Sequence, residues 1–120
     1  MILVACVGNT NTRLVAFAGR RVVARSAVAS RVTSRPALPA LRPTAVGIVS
    51  VVPRLTKRWT RALSDRYGLR PFVLRPETPT GLRFDYPRAQ LGTDRVCAAA
   101  GAWQRWREDL VVVDFGTATT

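Results

Sequence analysis

Histidine is missing from this chain of 120 residues, lysine and methionine each occur once, and only seven carboxylates stand against nineteen basic residues. The two cysteines, Cys6 and Cys97, have neither cysteine nor histidine companions, which excludes a disulfide framework and a zinc site. They are expected to be buried thiols outside any disulfide, Cys6 in an apolar strand and Cys97 in a helical pattern. No apolar run approaches the length of a membrane span. Residues 1–7 are too short for a signal peptide and lack its basic leader. A soluble, cytoplasmic protein without a membrane partner is expected. Short-period repeats and low-complexity tracts are also absent.

What the chain does have is enough apolar content (48%) for one core in 13.2 kDa, and a net charge of +12. Such a surplus invites a nucleic-acid reading. The basic residues are nearly all arginine, in a chain also rich in alanine and valine, which is the bias of a GC-rich coding sequence. Arg20-Arg21 and Lys57-Arg58 are short and scattered. They read as a solvated surface, and a nucleic-acid partner is not expected.

Ile2–Val7 is fully apolar and reads as a buried central strand. Residues 13–18 alternate apolar with small or polar side chains, and Gly19-Arg20 turns the chain into residues 21–28. These three runs suggest an antiparallel meander. Pro36, Pro39 and Pro43 make residues 30–43 a linker or a very short helix. Residues 45–51 form another buried strand, after which Pro53 opens a helix where a missing N–H is tolerated. Leu55, Trp59, Ala62, Leu63 and Tyr67 share one face of that helix, and Gly68 stops it. Residues 71–74 are a short strand, and residues 77–88 are a loop punctuated by Pro79, Gly81 and Pro87. From Thr93, Val96, Ala99, Ala100, Trp103 and Trp106 or Arg107 define an amphipathic helix whose tryptophans belong to core or interface packing. Residues 110–114 are a final strand.

Two small-residue turns follow apolar runs: Gly8-Asn9-Thr10-Asn11-Thr12, and Asp114-Phe115-Gly116-Thr117-Ala118-Thr119-Thr120. Bare backbone N–H groups and short hydroxyls of this kind cradle phosphates, and two such turns could grip one nucleotide from two sides. In the first, Gly8 permits positive φ and close ligand approach, while Asn9, Thr10 and Thr12 can donate to phosphate oxygens. The same letters also make an ordinary polar hairpin turn. In the second, an acid ending a strand before Gly-Thr suits a cation beside a nucleotide phosphate. Its Asp-Phe-Gly letters match protein kinases by coincidence, since the glycine-rich loop, strand lysine and catalytic loop are missing. A third cluster, Gly92-Thr93-Asp94-Arg95, enters a helix. Asp94 there either complements the helix dipole and caps N–H groups, or accepts a hydroxyl proton while Arg95 binds an anion.

Taken in order, Gly8-Asn9-Thr10-Asn11-Thr12, Val49-Ser50-Val51-Val52-Pro53, Thr80-Gly81-Leu82, Tyr86-Pro87, Gly92-Thr93-Asp94-Arg95 and the stretch from Val113 to Thr120 resemble the type III pantothenate kinases. The resemblance covers essentially the whole chain. It implies an α/β fold, a ribonuclease-H-like domain of the actin and sugar-kinase ATPase fold, with a mixed sheet carrying the antiparallel meander. Residues 1–109 would be that N-terminal domain. Residues 110–120 would be the first strand and phosphate turn of a second domain, truncated here. The implied reaction is phosphorylation of pantothenate at its 4′-hydroxyl by ATP, the first step of coenzyme A synthesis. The family works as a homodimer with Mg²⁺ and a monovalent cation, K⁺ or NH₄⁺. Carried over by position, Cys6, Val7, Gly8, Asn9, Thr10, Asn11, Thr12 and Thr117 would bind ATP. Tyr86, Gly92, Thr93, Asp94 and Arg95 would line the pantothenate site, with Asp94 as proton acceptor and Asp114 at the monovalent cation. Phosphoryl transfer needs mainly positioning and charge neutralisation, so hydroxyls, amides, cations and one base suffice.

The chain departs from the family in three respects. Cys6 stands where members have their first aspartate, and a neutral thiol is a poor ligand for Mg²⁺, which takes hard oxygen donors. Residues 30–43 are shorter than the family's helical segment, and members extend well beyond Thr120. The fragment is therefore expected to bind ATP weakly and to lack kinase activity, with residues 110–113 left as an apolar edge. The alternative is a non-catalytic regulatory or binding module of the same fold, like accessory factors of transcription, whose positive charge would be an interaction surface. A nuclease of the ribonuclease H type would need a carboxylate cluster, and Asp85, Asp94 and Asp114 are too few.

Overall fold

A computed structural model describes residues 1–31, 39–87 and 90–114. The chain divides into two compact units, Met1–Leu74 and Arg75–Thr120. The first holds a five-stranded sheet built from β1 (Ile2–Val7), β2 (Asn11–Ala18), β3 (Arg21–Ala29), β4 (Ala45–Ser50) and β5 (Phe72–Val73). The strand order is β3-β2-β1-β4-β5, and one helix, α1 (Pro53–Tyr67), packs on the sheet. The expected meander is present: β1, β2 and β3 are antiparallel neighbours, with Gly19 at φ 58° in the second turn. β4 then lies parallel to β1, pairing Ile2 with Ala45 and Val7 with Ser50. One edge of the sheet therefore gathers the ends of β1 and β4, the start of β2 and the start of α1.

Period-two alternation sends Leu3, Ala5 and Val7 of β1 into the core together with Leu14, Ala16, Val46 and Ile48. α1 meets them with Leu55, Trp59 and Leu63, spaced as one helical face. Gly68 ends α1 at φ 66°, donating its N–H to the Ser64 carbonyl at 2.8 Å. A left-handed residue is cheapest as glycine, which is why the helix stops here. In the second unit α2 (Thr93–Trp106) is the one α-helix among the described residues, and residues 75–87 are irregular as expected.

Several expectations change. β1 is buried on one face only, so Cys6, on the face away from α1, is exposed rather than buried, and Cys97 is half-buried. Neither forms a disulfide. Trp103 and Trp106 are 40% and 56% exposed, so they are not core, and α2 buries Thr93 and Val96 instead. The guanidiniums of Arg107 and Arg105 lie 5.6 and 5.2 Å from those two ring centroids. Residues 110–114 form no strand. A strand exists only through ladder bonds to a neighbour, and without one Val111 is left 89% exposed. Of the segment expected as a linker or short helix, residues 32–38 lie outside the described residues, and residues 39–43 contain no helix.

Candidate functional site

The first turn sits where two parallel strands end. Gly8 donates its N–H to the Asn11 carbonyl at 3.1 Å, and Val51 donates to the Val7 carbonyl at 3.2 Å, extending the β1–β4 ladder beside it. A Cβ on Gly8 would stand 3.0 Å from the Asn11 oxygen, and the left-handed glycines are Gly19, Gly68 and Gly81. Close approach, not positive φ, is therefore what favours glycine at position 8. Asn9, Thr10 and Asn11 are exposed at this edge. Thr12 is fully buried, and its Oγ1 shares a hydrogen bond of 3.0 Å with Ser30 Oγ. Ser30 also donates its N–H to the Thr10 carbonyl at 2.9 Å. Thr12 thus braces the turn from below, while the donors facing outward come from Asn9 and Thr10.

Ser50, at the end of β4, is a second brace. Its Oγ accepts from the Val52 N–H at 3.2 Å and from Thr56 Oγ1 at 2.8 Å. Val52 caps α1 without a side-chain bond of its own, so Ser50 ties the helix start to the strand end. The positive end of the α1 dipole consequently lies at the edge that carries the turn. Ser30 was not foreseen as a site residue. It becomes a partner of the turn only through the β2–β3 register, which sets Asn11 opposite Ala29.

Within the unit that carries this edge, charge is almost all of one sign. Met1–Leu74 contains 13 of the 19 basic residues and one of the seven acids, Asp65, so the whole +12 belongs to that unit while Arg75–Thr120 balances six against six. Asp65 is near the far end of α1, 3.9 Å from Arg61 and about 18 Å along the helix from Pro53. The turn therefore offers amides and hydroxyls to an anion, and no carboxylate to a hard divalent cation. Cys6 pairs in register with Arg13 on β2. The residues present do not fit Mg²⁺ at this position. Among the described residues no group of three His, Cys, Asp or Glu could hold a metal.

In the second unit, Gly92 caps α2 with φ −60° and accepts the Val96 N–H at 3.2 Å. Asp94 Oδ1 accepts the main-chain N–H of Arg95 at 2.9 Å, and both side chains are exposed. Thr93 is buried, Tyr86 is 55% exposed and Asp114 is exposed. Thr80 Oγ1, in the Thr80-Gly81-Leu82 segment, is buried without a hydrogen-bond partner among the described residues. Thr117 lies outside the described residues.

Comparison with known proteins gives these motifs a common setting. The family model for type III pantothenate kinase matches residues 2–120. The chain is 37% identical to a type III pantothenate kinase of Geobacter sulfurreducens and 37% identical to that of Myxococcus xanthus. Identity to the Moorella thermoacetica protein of the same name is 33%. Each alignment takes in 100% of this chain and 53% of the relative, so the chain spans about half the length of the curated relatives it matches. The mixed sheet with its meander agrees with the α/β, ribonuclease-H-like N-terminal domain of that family. Pattern, fold and alignment converge: the chain belongs to the type III pantothenate kinase family.

Proposed function

We propose that this chain carries the nucleotide-phosphate turn and the substrate-side helix of a cytoplasmic kinase that transfers phosphate from ATP to the 4′-hydroxyl of pantothenate. The observation that carries the reading is the first turn, with Asn9 and Thr10 exposed where β1 and β4 end and α1 begins, inside a segment the family model covers. In this reading ATP phosphates lie along Cys6 to Asn11 with Thr12 bracing that turn from below, and Thr117 touches ATP. Tyr86, Gly92 and Thr93 shape the pantothenate site, Arg95 takes the substrate's carboxylate, and Asp94 accepts the hydroxyl proton. K⁺ or NH₄⁺ sits at Asp114. Residues 110–120 open a second domain, and the whole protein is a homodimer. No step is assigned to Mg²⁺, since Cys6 replaces the acid that would hold it.

A coupled assay of the 120-residue chain with ATP and pantothenate should show no turnover above background, together with weak ATP binding that Asn9→Ala and Thr10→Ala reduce further. Turnover comparable to a relative of full length would overturn the expectation for these 120 residues, and ATP binding indifferent to both substitutions would overturn the turn's role. The missing acid favours a second reading, a non-catalytic binding module of the same fold. Protection of Arg95 from arginine-directed modification by pantothenate supports the kinase. A salt-dependent shift of DNA, unaffected by pantothenate, supports the module.

A further inference from the structure

The opposite edge of the sheet holds a cavity that the kinase reading does not use. Ala40, Leu41, Arg42, Pro43, Arg66 and Tyr67 line an open hollow of about 450 Å³ between the approach to β4 and the last turn of α1. β4 extends about 20 Å from there toward the Gly8 turn, so the two places lie at opposite ends of the strands. The loop wall is tethered at several points. Tyr67 Oη and the Leu41 N–H both donate to the Pro39 carbonyl at 2.9 Å. Thr44 donates through its N–H and Oγ1 to the Met1 carbonyl at 2.8 and 3.1 Å.

Two guanidiniums line the space, and no carboxylate does among the described residues. Asp65, the one acid of this unit, pairs with Arg61 instead. Arg66 lies over the Tyr67 ring, its Cζ 5.6 Å from the centroid. A cation–π contact of this kind does not itself consume the guanidinium's N–H donors. The end of α1 contributes about half a negative charge here, against two full positive ones. The cavity is therefore cationic at Arg42 and Arg66 and apolar along Leu41, Pro43 and the Tyr67 ring. Its volume falls in the range of small-molecule sites, about 300–1,000 Å³.

We propose that this cavity binds a small organic phosphate monoester, the phosphate between Arg42 and Arg66 and the apolar or flat body against Leu41, Pro43 and Tyr67. A carboxylate presents one edge and satisfies one guanidinium in bidentate fashion, whereas a phosphate dianion has three oxygens and can engage both. Isothermal titration of phenyl phosphate into the full 120-residue chain at physiological salt tests this. Arg42→Ala and Arg66→Ala should each weaken binding about 10-fold or more, the size expected of a lost charge-assisted bond. Arg42→Gln, which keeps the stem, should weaken it equally. Arg20→Ala, in the exposed β2–β3 turn, should leave it unchanged, and inorganic phosphate should bind more weakly than phenyl phosphate. An equal loss in Arg20→Ala would mean general attraction to a chain of net charge +12 and would overturn the proposal. So would binding without saturation, or binding that survives both cavity substitutions.

Discussion

Thr12 shows how one side chain changes meaning once its neighbours are known. In the string Gly8-Asn9-Thr10-Asn11-Thr12 it reads as one more donor for a phosphate, yet it is fully buried against Ser30. Thr12→Val removes its hydroxyl and leaves Ser30 Oγ buried without that partner, at a cost of about 1–3 kcal/mol. Replacing both partners removes the orphan. Thr12→Val with Ser30→Ala should therefore recover most of the loss in urea unfolding, and a double variant as unstable as the two single losses added together would refute the brace. Tyr67 carries a different prediction. Burial raises its hydroxyl above the ordinary value of 10.0, with Arg66 pulling the other way. As pH climbs past that value the unfolded chain releases this proton first, so the folded state holds more protons and stability falls with rising pH. The tyrosinate also cannot donate to the Pro39 carbonyl. Urea midpoints should accordingly drop above pH 10 in the parent chain, and Tyr67→Phe should flatten that drop. An identical decline in both would remove Tyr67 as its cause.

Elements with local punctuation are legible in the sequence. α1 has Pro53 at its first turn, an apolar face through Leu55, Trp59 and Leu63, and Gly68 beyond its end, and each signal acts within a few residues. The meander has the same character, since alternation and the Gly19 turn specify it nearly unaided. Residues 110–113 failed as a strand for the opposite reason. Their apolar run is compatible with one, but hydrogen bonding needs a neighbour that the described residues do not provide. Leu110, Val112 and Val113 are at least 39% exposed and Val111 is 89% exposed. Such a segment is a template for pairing with another chain. Val111→Lys should lower concentration-dependent light scattering of the chain without changing its far-ultraviolet circular dichroism. Unchanged scattering would show that this edge does not drive self-association.

Charge and core divide the whole molecule at the same place. Nearly every buried apolar side chain among the described residues lies in Met1–Leu74, with Val96 the exception, and the entire net charge lies there too. A piece ending at Leu74 should keep a cooperative urea transition reported by Trp59, which is 2% exposed. Arg75–Thr120 alone has too little to bury and should show none, because a short chain without disulfides or metal gains little from its surface-to-volume ratio. A broad, non-cooperative transition in the first piece would mean that the sheet and α1 do not form a self-sufficient unit.

The sequence by itself determined the order of the family's motifs, the meander, the limits of α1 and the absence of an acid before Gly8, because composition and short-range periodicity are properties of neighbouring residues. Only the tertiary structure decided that Cys6 faces away from α1, that Thr12 and Ser30 brace the turn, that Ser50 anchors the helix start, and that Arg42 and Arg66 share a cavity. Each of those depends on strand register or on segments far apart in the chain. A one-residue slip of register would turn the same side chains to the other face of the sheet.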